Sequence, residues 1–211
     1  MTIDRFLQQQ LPISFYNRNK VWQIAEELIG KILVTNFDGK LTAGRIVETE
    51  AYNGIYDKAS HSFNNKRTTR NEVMYSASGV SYVYICYGIH HLFNVVTNKK
   101  NIPDAVLIRA IEPVIGIDIM LNRTHKKQND FTVTKGPGNL SKALGISKRN
   151  SKIILTDKNQ FLCDDGFVFK KNDIIVSQRI GVESAGADAL LPYRFFVKNN
   201  QYVSAKTNFK I

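Results

Sequence analysis

The sequence predicts a mixed α/β fold of the α+β type, a single domain with a mostly antiparallel β-sheet flanked by helices and a protruding β-hairpin. Three observations support this prediction. Short β-branched and apolar runs are distributed over the whole chain, tight turn signals join several neighbouring runs, and only a few segments have apolar residues at helical spacing. The 211 residues can bury one sizeable core, and they contain no internal repeat and no convincing linker. We therefore expect one domain over residues 1–211.

A helix and a first hairpin are predicted near the N-terminus. Apolar residues recur at helical spacing over residues 21–29, and Gly30 supplies a stop signal. The next run, residues 31–36, is β-branched and apolar, and the Asp38-Gly39 dipeptide that follows is a strong hairpin turn. The partner strand should therefore cover residues 41–50.

A second hairpin is predicted in the middle of the chain. Residues 81–87 are typical of a strand, and residues 91–97 are its return. The tight connection at Tyr87-Gly88 places Tyr87 near the tip of this hairpin. A tyrosine at a tip cannot belong to the core, and a flat ring beside cations suits stacking on a nucleic-acid base.

Further strands and helices follow towards the C-terminus. Residues 104–112 predict a strand that Pro113 ends, and residues 115–122 predict a helix. Beyond a polar loop, the GPG sequence at residues 136–138 marks the entry to a short helix over residues 140–144. The last third is rich in strands, which the sequence places at residues 153–155, 167–169, 174–176 and 193–197.

The net charge indicates a polyanionic partner. Lys and Arg number 29 against 18 Asp and Glu, which gives +11, and a positive field raises the local concentration of polyanions. Clustered cations and many aromatic residues then favour nucleic acid, although a solubilising surface without a partner would have the same composition. No apolar run approaches the roughly 20 residues that span a bilayer, so we expect no membrane contact. Cys86 and Cys163 have neither disulfide nor zinc spacing, which suits a reducing cytoplasm.

Carboxylates gather where one predicted strand ends. Glu48 and Glu50 share one face of that strand because side chains alternate along it, and Asp57 and His61 follow at a short distance. A strand end that opens into a loop can present a reactive group from a rigid scaffold. Two other interpretations stay open. The two glutamates could lie on an exposed charged face, or all four residues could ligate a divalent ion in a metal-dependent nuclease.

A basic stretch follows the carboxylates. The sequence NKRTTRN at residues 65–71 combines cations with hydroxyl and amide side chains, the composition of a phosphate-contacting loop. Lys66, Arg67 and Arg70 are the candidate contacts. A solvated surface loop would have the same composition, and a non-catalytic basic module that binds duplex DNA by charge and aromatic wedging is a further hypothesis.

The segment RIVETEAY at residues 45–52 closely resembles the hallmark of the 3-methyladenine DNA glycosylases of the alkyladenine, or N-methylpurine, type. Other blocks of that family occur in family order and cover nearly the whole chain. They are ASHS at residues 59–62, RN at 70–71, YVYICYG at 82–88, Asn94, LIRAIEP at 107–113, GPG at 136–138 and RIGV at 179–182.

The resemblance implies a monofunctional DNA-repair glycosylase that acts on double-stranded DNA containing damaged purines. Such an enzyme would flip 3-methyladenine, 7-methylguanine, hypoxanthine or ethenoadenine out of the duplex, hydrolyse the N-glycosidic bond and leave an abasic site. The resemblance also implies a curved sheet, a monomer, and neither a metal nor another cofactor. The chain would be cytoplasmic and nucleoid-associated in a prokaryote, and nuclear in a eukaryote.

The resemblance assigns the chemistry to a few residues. Glu50 would be the general base that activates the attacking water. Arg109 would help to hold that water and the nearby phosphate, and a backbone carbonyl around Ile180 would be another ligand of the water. An alkylated purine carries positive charge and leaves readily, so one carboxylate suffices. No lysine is evident as a Schiff-base nucleophile, which is the reason to expect monofunctional action.

Recognition of the base falls to a second group of residues. Tyr52, His61 and Tyr84 would be the walls that sandwich the flipped base, with cation–π attraction to an electron-poor purine. Tyr87 would be the wedge that enters the minor groove and fills the vacated stack. Asn94 would crowd the exocyclic amino group of a normal guanine.

Two features depart from the family pattern. Residues 98–103 form a longer connection than is usual, which puts the outer groove contacts in question. Asn139 stands where a lysine often follows GPG, so Lys142 becomes the candidate phosphate contact in this region. Neither departure touches the expected chemistry.

Overall fold

One eight-stranded sheet forms the centre of the computed structural model, which describes residues 3–204. Its strands are β1 Ile32–Phe37, β2 Lys40–Tyr52, β3 Val80–Cys86, β4 His90–Thr97, β5 Asp104–Ile115, β6 Gln160–Cys163, β7 Ile174–Ser177 and β8 Arg194–Val197. Their order is β3-β4-β5-β2-β1-β6, and β8 pairs with both β2 and β7. All of these pairings are antiparallel, which confirms the predicted fold class.

Helices flank this sheet. They are α1 Ile3–Leu7, α2 Ile13–Tyr16, α3 Val21–Glu27, α4 Ile117–Thr124 and α5 Pro137–Leu144. Short 3-10 turns lie between the elements, among them Gly54–Tyr56, Glu72–Tyr75 and Glu183–Leu190. Within residues 3–204, no helix has both the length and the apolar character needed to cross a membrane.

Strand β2 is the central strand of the sheet, because it pairs with β1, β5 and β8. Its first half pairs with β1 through a turn in which Asp38 and Gly39 both have positive φ, at 54° and 71°, as the predicted hairpin requires. Nearly all of β2 pairs with β5 on the other side. At Glu48–Glu50, β8 takes the place of β1, so this stretch has a neighbouring strand on each side. The middle of β2 is therefore inside the molecule.

The main core lies between the sheet and the helices. Val21 and Ile24 of α3, and Leu28 just after its end, are fully buried in it, as their helical spacing predicts. Helix α5 packs on β4, and its Gly138 faces the ring of His90. A Cβ at Gly138 would lie 2.8 Å from His90 Nδ1, so the lack of a side chain at this position permits the close approach.

Several elements differ from the sequence prediction. Residues 153–155 and 167–169 are not strands: Ile154 makes only an isolated bridge with Val80, and Phe167 packs under the Arg45 guanidinium, 4.2 Å from its Cζ. The short strand β6, which the sequence did not predict, pairs with β1 on the side away from β2 and is fully buried. An apolar run is thus not enough to form a strand, because a strand also needs a neighbour with free backbone groups.

Pro113 does not end β5. The strand continues through Pro113 to Ile115, and α4 begins at Ile117 rather than at residue 115. Pro113 pairs with Gly44 next to an irregularity in the register, and β4 has already left β5 at Leu107. A proline without an N–H is tolerated at such a bulged, one-sided position. The other predicted elements are confirmed with boundary shifts of a few residues, and α5 begins at Pro137, inside the GPG sequence.

Candidate active site

A cavity of about 310 Å³ opens where β2, β3, β4 and β5 meet the loop of residues 179–182. The predicted site residues that line it are Tyr52, His61, Arg70, Tyr84, Tyr87, Asn94, Arg109 and Ile180. The fold therefore brings most of the predicted site together. Glu50 lies beneath these residues and is fully buried. Lys66, Arg67 and Lys142 are exposed outside the cavity.

Three donors hold the Glu50 carboxylate. Its Oε1 accepts a hydrogen bond from the Ile180 backbone N–H at 2.8 Å and lies 3.1 Å from Arg109 Nη1. Its Oε2 accepts from the Tyr52 hydroxyl at 2.8 Å. The structure thus uses the N–H of Ile180 on Glu50, whereas the sequence prediction for this position concerned a carbonyl. These contacts fix the carboxylate in one orientation directly behind the cavity lining.

Arg109 joins the two glutamates. Its Nε donates to Glu48 Oε1 at 2.9 Å, and Arg194 Nε donates to the same oxygen at 2.8 Å. Burial opposes the charge on Glu48, but the guanidinium groups of Arg109 and Arg194 hold the pKa of this carboxyl below its usual value. The exposed charged face that the sequence also allowed is therefore wrong, since both glutamates are fully buried.

A second buried ion pair, between Arg179 and Asp57, packs against the cavity wall formed by Tyr52. Arg179 donates to both carboxylate oxygens of Asp57 and to the Ala51 carbonyl. The Arg179 guanidinium also lies 4.8 Å from the centre of the Tyr52 ring. Asp57 thus anchors an arginine that packs on a cavity wall.

Further aromatic side chains line the cavity together with Tyr52. His61 and Tyr84 meet edge to face, with ring centroids 4.6 Å apart, and His61 Nδ1 is 3.0 Å from the Tyr82 hydroxyl. Burial lowers the pKa of His61 to about 4, and the charges of Arg70 and Lys66 reinforce the effect. The imidazole is therefore neutral at physiological pH.

Asn94 and Arg70 complete the lining. The Asn94 amide nitrogen donates to the backbone carbonyls of Tyr82 and Leu92, which fixes its side chain between β3 and β4. The Arg70 guanidinium lies 5.0 Å from the centre of the Tyr84 ring, at the exposed side of the cavity. The cavity thus combines flat rings, an amide and a cation.

The hairpin tip is the exposed end of β3 and β4. Cys86 pairs with His90, and the three residues between them form the turn. Tyr87 is 89% exposed and Ile89 is 74% exposed, and Tyr87 has a positive φ of 50°. The predicted tip position of Tyr87 is confirmed, and the exposed ring has no structural role in the core.

The basic residues outside the cavity have different surroundings. Arg67 is paired with Glu72 and lies over the Tyr75 ring at 4.5 Å, so a solvated surface role accounts for its position. Lys66 is exposed beside the cavity mouth, close enough to influence His61. Lys142 is exposed in α5, on the element that also carries Asn139.

The four residues considered as metal ligands serve different partners. Glu48 and Glu50 are bound by arginines, Asp57 by Arg179, and His61 by Tyr82. Across the described part of the chain, no group of three or more His, Cys, Asp or Glu side chains is arranged to hold a metal ion. The donor set that a divalent ion would need is not assembled.

Several residues that shape the site escaped the sequence analysis. Arg194 is fully buried in the apolar strand YRFFV, and a cation within such a run is the signal that it needs a buried carboxylate. Arg179 lies at the start of the RIGV block, where only its neighbour Ile180 was singled out. Tyr82 entered the sequence analysis only as the first residue of the YVYICYG block. Ser204 gives no sequence signal, because a lone serine near a chain end is unremarkable.

Comparison with known proteins places this geometry in context. The family described as "Methylpurine-DNA glycosylase (MPG)" matches residues 14–201. The chain is 41% identical over 205 residues to a protein of Desulfitobacterium hafniense (strain Y51), covering 94% of this chain and 100% of that protein. It is 40% identical over 200 residues to one of Clostridium perfringens (strain 13 / Type A), with coverages of 91% and 97%.

A third relative comes from Chlamydia felis (strain Fe/C-56). It is 42% identical over 188 residues, covering 89% of this chain and 95% of that protein. All three relatives carry the provisional name 3-methyladenine DNA glycosylase. The similarity therefore extends over most of this chain and almost the full length of each relative.

Proposed function

The chain belongs to the methylpurine-DNA glycosylase family, and from that premise we propose that it is a monofunctional enzyme that flips alkylated or deaminated purines out of duplex DNA and hydrolyses their N-glycosidic bond. The products would be a free base and an abasic site. The proposed substrates are 3-methyladenine, 7-methylguanine, hypoxanthine and ethenoadenine.

The observation that carries this proposal is the position of Glu50. Its carboxylate is held by Tyr52, Ile180 and Arg109, and all three of these residues also line the aromatic cavity. A base for proton transfer must stand within hydrogen-bond reach of the water that it activates. Glu50 lies directly behind Arg109, so a water molecule that enters from the cavity between these two side chains would contact both the carboxylate and the guanidinium.

The proposed reaction needs little beyond this arrangement. 3-Methyladenine and 7-methylguanine are already cationic in the nucleoside, so they depart as neutral bases with the bonding electrons while the sugar gains oxocarbenium character. Hypoxanthine and ethenoadenine are neutral, so each would also take up a proton from solvent as it leaves. The negative carboxylate stabilises that developing charge and accepts a proton from the attacking water. The neutral His61 ring and the Tyr52 and Tyr84 rings provide flat surfaces for the departing base.

The hairpin supports the DNA part of the proposal. A base inside a duplex is shielded, so it has to leave the stack before it reaches a cavity. The exposed Tyr87 ring stands at the edge of the cavity and can fill the vacated space. The charge of +11 supplies the attraction to phosphate that such binding requires.

A base-release experiment tests the proposal. Identical duplexes that carry one of the four lesions, or an undamaged purine, are incubated with the protein, and released bases are separated by chromatography. We expect free damaged base, strands that break only after alkali or heat, and the same rate with EDTA. Borohydride should trap no covalent adduct. A trapped adduct would refute monofunctional hydrolysis, and strand cleavage that EDTA abolishes would indicate a nuclease instead.

A further inference from the structure

The chain segment that follows β8 returns to the buried glutamates. The Ser204 backbone N–H donates to Glu48 Oε2 at 2.7 Å, and its hydroxyl donates to Glu48 Oε1 at 2.8 Å. Arg109 Nη2 in turn donates to the Ser204 hydroxyl at 3.1 Å. The segment is held on its way there, because Tyr202 and Val203 pack against the core.

Each nitrogen of the Arg109 guanidinium then has a defined partner. Nε contacts Glu48, Nη2 contacts Ser204, and Nη1 contacts Glu50. A guanidinium is planar, so two contacts on one side fix its plane and the direction of the third nitrogen. The third nitrogen is the one that faces Glu50, 3.1 Å from Oε1. The orientation of Arg109 towards Glu50 therefore depends on Glu48 and Ser204.

We propose that Ser204 is a positioning residue of the glycosylase reaction, with Glu48 as its anchor, so that the segment after β8 is part of the catalytic machinery. This inference rests on the proposed function. Ser204 does not itself line the cavity; it acts through Arg109, which holds Glu50 and is part of the cavity lining. Its removal should slow the chemical step and leave DNA binding unchanged.

Ser204→Ala is a conservative test of this proposal, and Ser177→Ala is its matched control. Ser204→Ala removes the hydroxyl but keeps the backbone N–H that binds Glu48, and Glu48 keeps both of its arginines. Ser177 carries another hydroxyl near this cluster, which accepts a hydrogen bond from Arg194 Nη1 at 3.3 Å. Ser177→Ala therefore removes a comparable hydrogen bond without touching Arg109. Ser204→Thr restores a hydroxyl at the original position.

The experiment measures single-turnover excision and the dissociation constant for lesion DNA. We expect Ser204→Ala to excise about tenfold more slowly with unchanged affinity, because one hydrogen bond to a charged group is lost. Ser204→Thr should recover most of the rate, and Ser177→Ala should match the wild type. An unaffected rate in Ser204→Ala would overturn the proposal. An equal loss in Ser177→Ala would also overturn it, since general loosening would then explain both.

Amide hydrogen exchange separates this proposal from the proposed function. The Ile180 N–H is bound to Glu50, so it should exchange faster in Ser204→Ala than in the wild type or in Ser177→Ala. Unchanged exchange would show that Ser204 does not hold Glu50 through Arg109. If exchange is faster but the protein releases no base, Ser204 still holds Glu50 through Arg109, and only the glycosylase reaction is refuted.

Discussion

The buried floor beneath the cavity and the hairpin beside it differ in exposure and in how far apart in sequence their contacting residues lie. The floor, defined by Glu48, Glu50, Arg109 and Arg194, is almost completely buried, and its contacts join residues up to 146 positions apart. The hairpin, β3 with its turn and β4, is local, and its tip exposes 89% of Tyr87. In the proposed mechanism, chemistry and recognition therefore depend on different parts of this fold. Changes in the floor should affect stability and catalysis, whereas changes at the tip should affect function alone.

The largest expected effect separates chemistry from binding within the floor. Glu50→Gln keeps the shape of the side chain but cannot accept a proton, so excision should fall by about 10²–10⁴-fold. Lesion-DNA affinity should stay close to that of the wild type, because the hairpin and the surface cations are unchanged. Single-turnover kinetics and a binding titration on one preparation measure both quantities. Near-normal turnover would remove Glu50 from the mechanism.

The next effect tests whether the floor stabilises the protein. Arg194→Met should lower the free energy of unfolding by roughly 3 kcal/mol, because Glu48 stays buried with one arginine fewer. Arg67→Met is the control, since Arg67 forms an exposed pair with Glu72 and should change stability little. Denaturant unfolding of both variants checks the contrast. Equal losses would mean that burial does not distinguish the two pairs.

A third prediction concerns an acid at the start of β5. Burial raises the pKa of Asp104 to about 6, and the nearby charge of Asp57 adds to the effect, although Asn98 donates to Asp104. The native state thus binds a proton more tightly than the unfolded chain, so its stability relative to Asp104→Asn should fall as pH rises from about 4 to about 6. The difference should reach about 3 kcal/mol above that range. Unfolding curves from pH 4 to 7.5 measure it, and a difference independent of pH would contradict it.

The smallest effect belongs to the hairpin tip. Tyr87→Ala should leave the melting temperature unchanged and remove stacking worth about 1–3 kcal/mol, which corresponds to roughly a 5- to 150-fold loss of excision. Neutral lesions such as hypoxanthine should suffer most, because they lack the cation–π attraction of the alkylated bases. The salt dependence of binding should barely change. A large drop in melting temperature would give Tyr87 a structural role and erase the contrast with the floor.

The same contrast explains what could be predicted from the sequence. The hairpin was predicted correctly because its turn and its strands are adjacent in the chain, and alternation placed Glu48 and Glu50 on one face. The ends of these elements could be judged from local patterns alone. The position of Tyr87 at the hairpin tip follows from the same local pattern.

The floor could not be predicted in the same way. Its partners Arg194 and Ser204 meet Glu48 only after β8 pairs with β2, and that pairing has no local signal. For the same reason, residues 167–169 were wrongly expected to be a strand, because strand propensity does not reveal whether a neighbouring edge is available. Long-range pairing decided both cases.

The contact between Gly138 and His90 has a mechanical consequence. His90 begins the return strand of the hairpin, three residues beyond Tyr87, and it leans on the first turn of α5. The opposite side of α5 is rooted in the core through Leu140 and Leu144. A force applied at the tip, as when a ring is pushed between stacked bases, is therefore transmitted to a helix that cannot yield without disturbing the core. Helix α5 therefore braces the hairpin, and this support depends on the close contact that Gly138 permits.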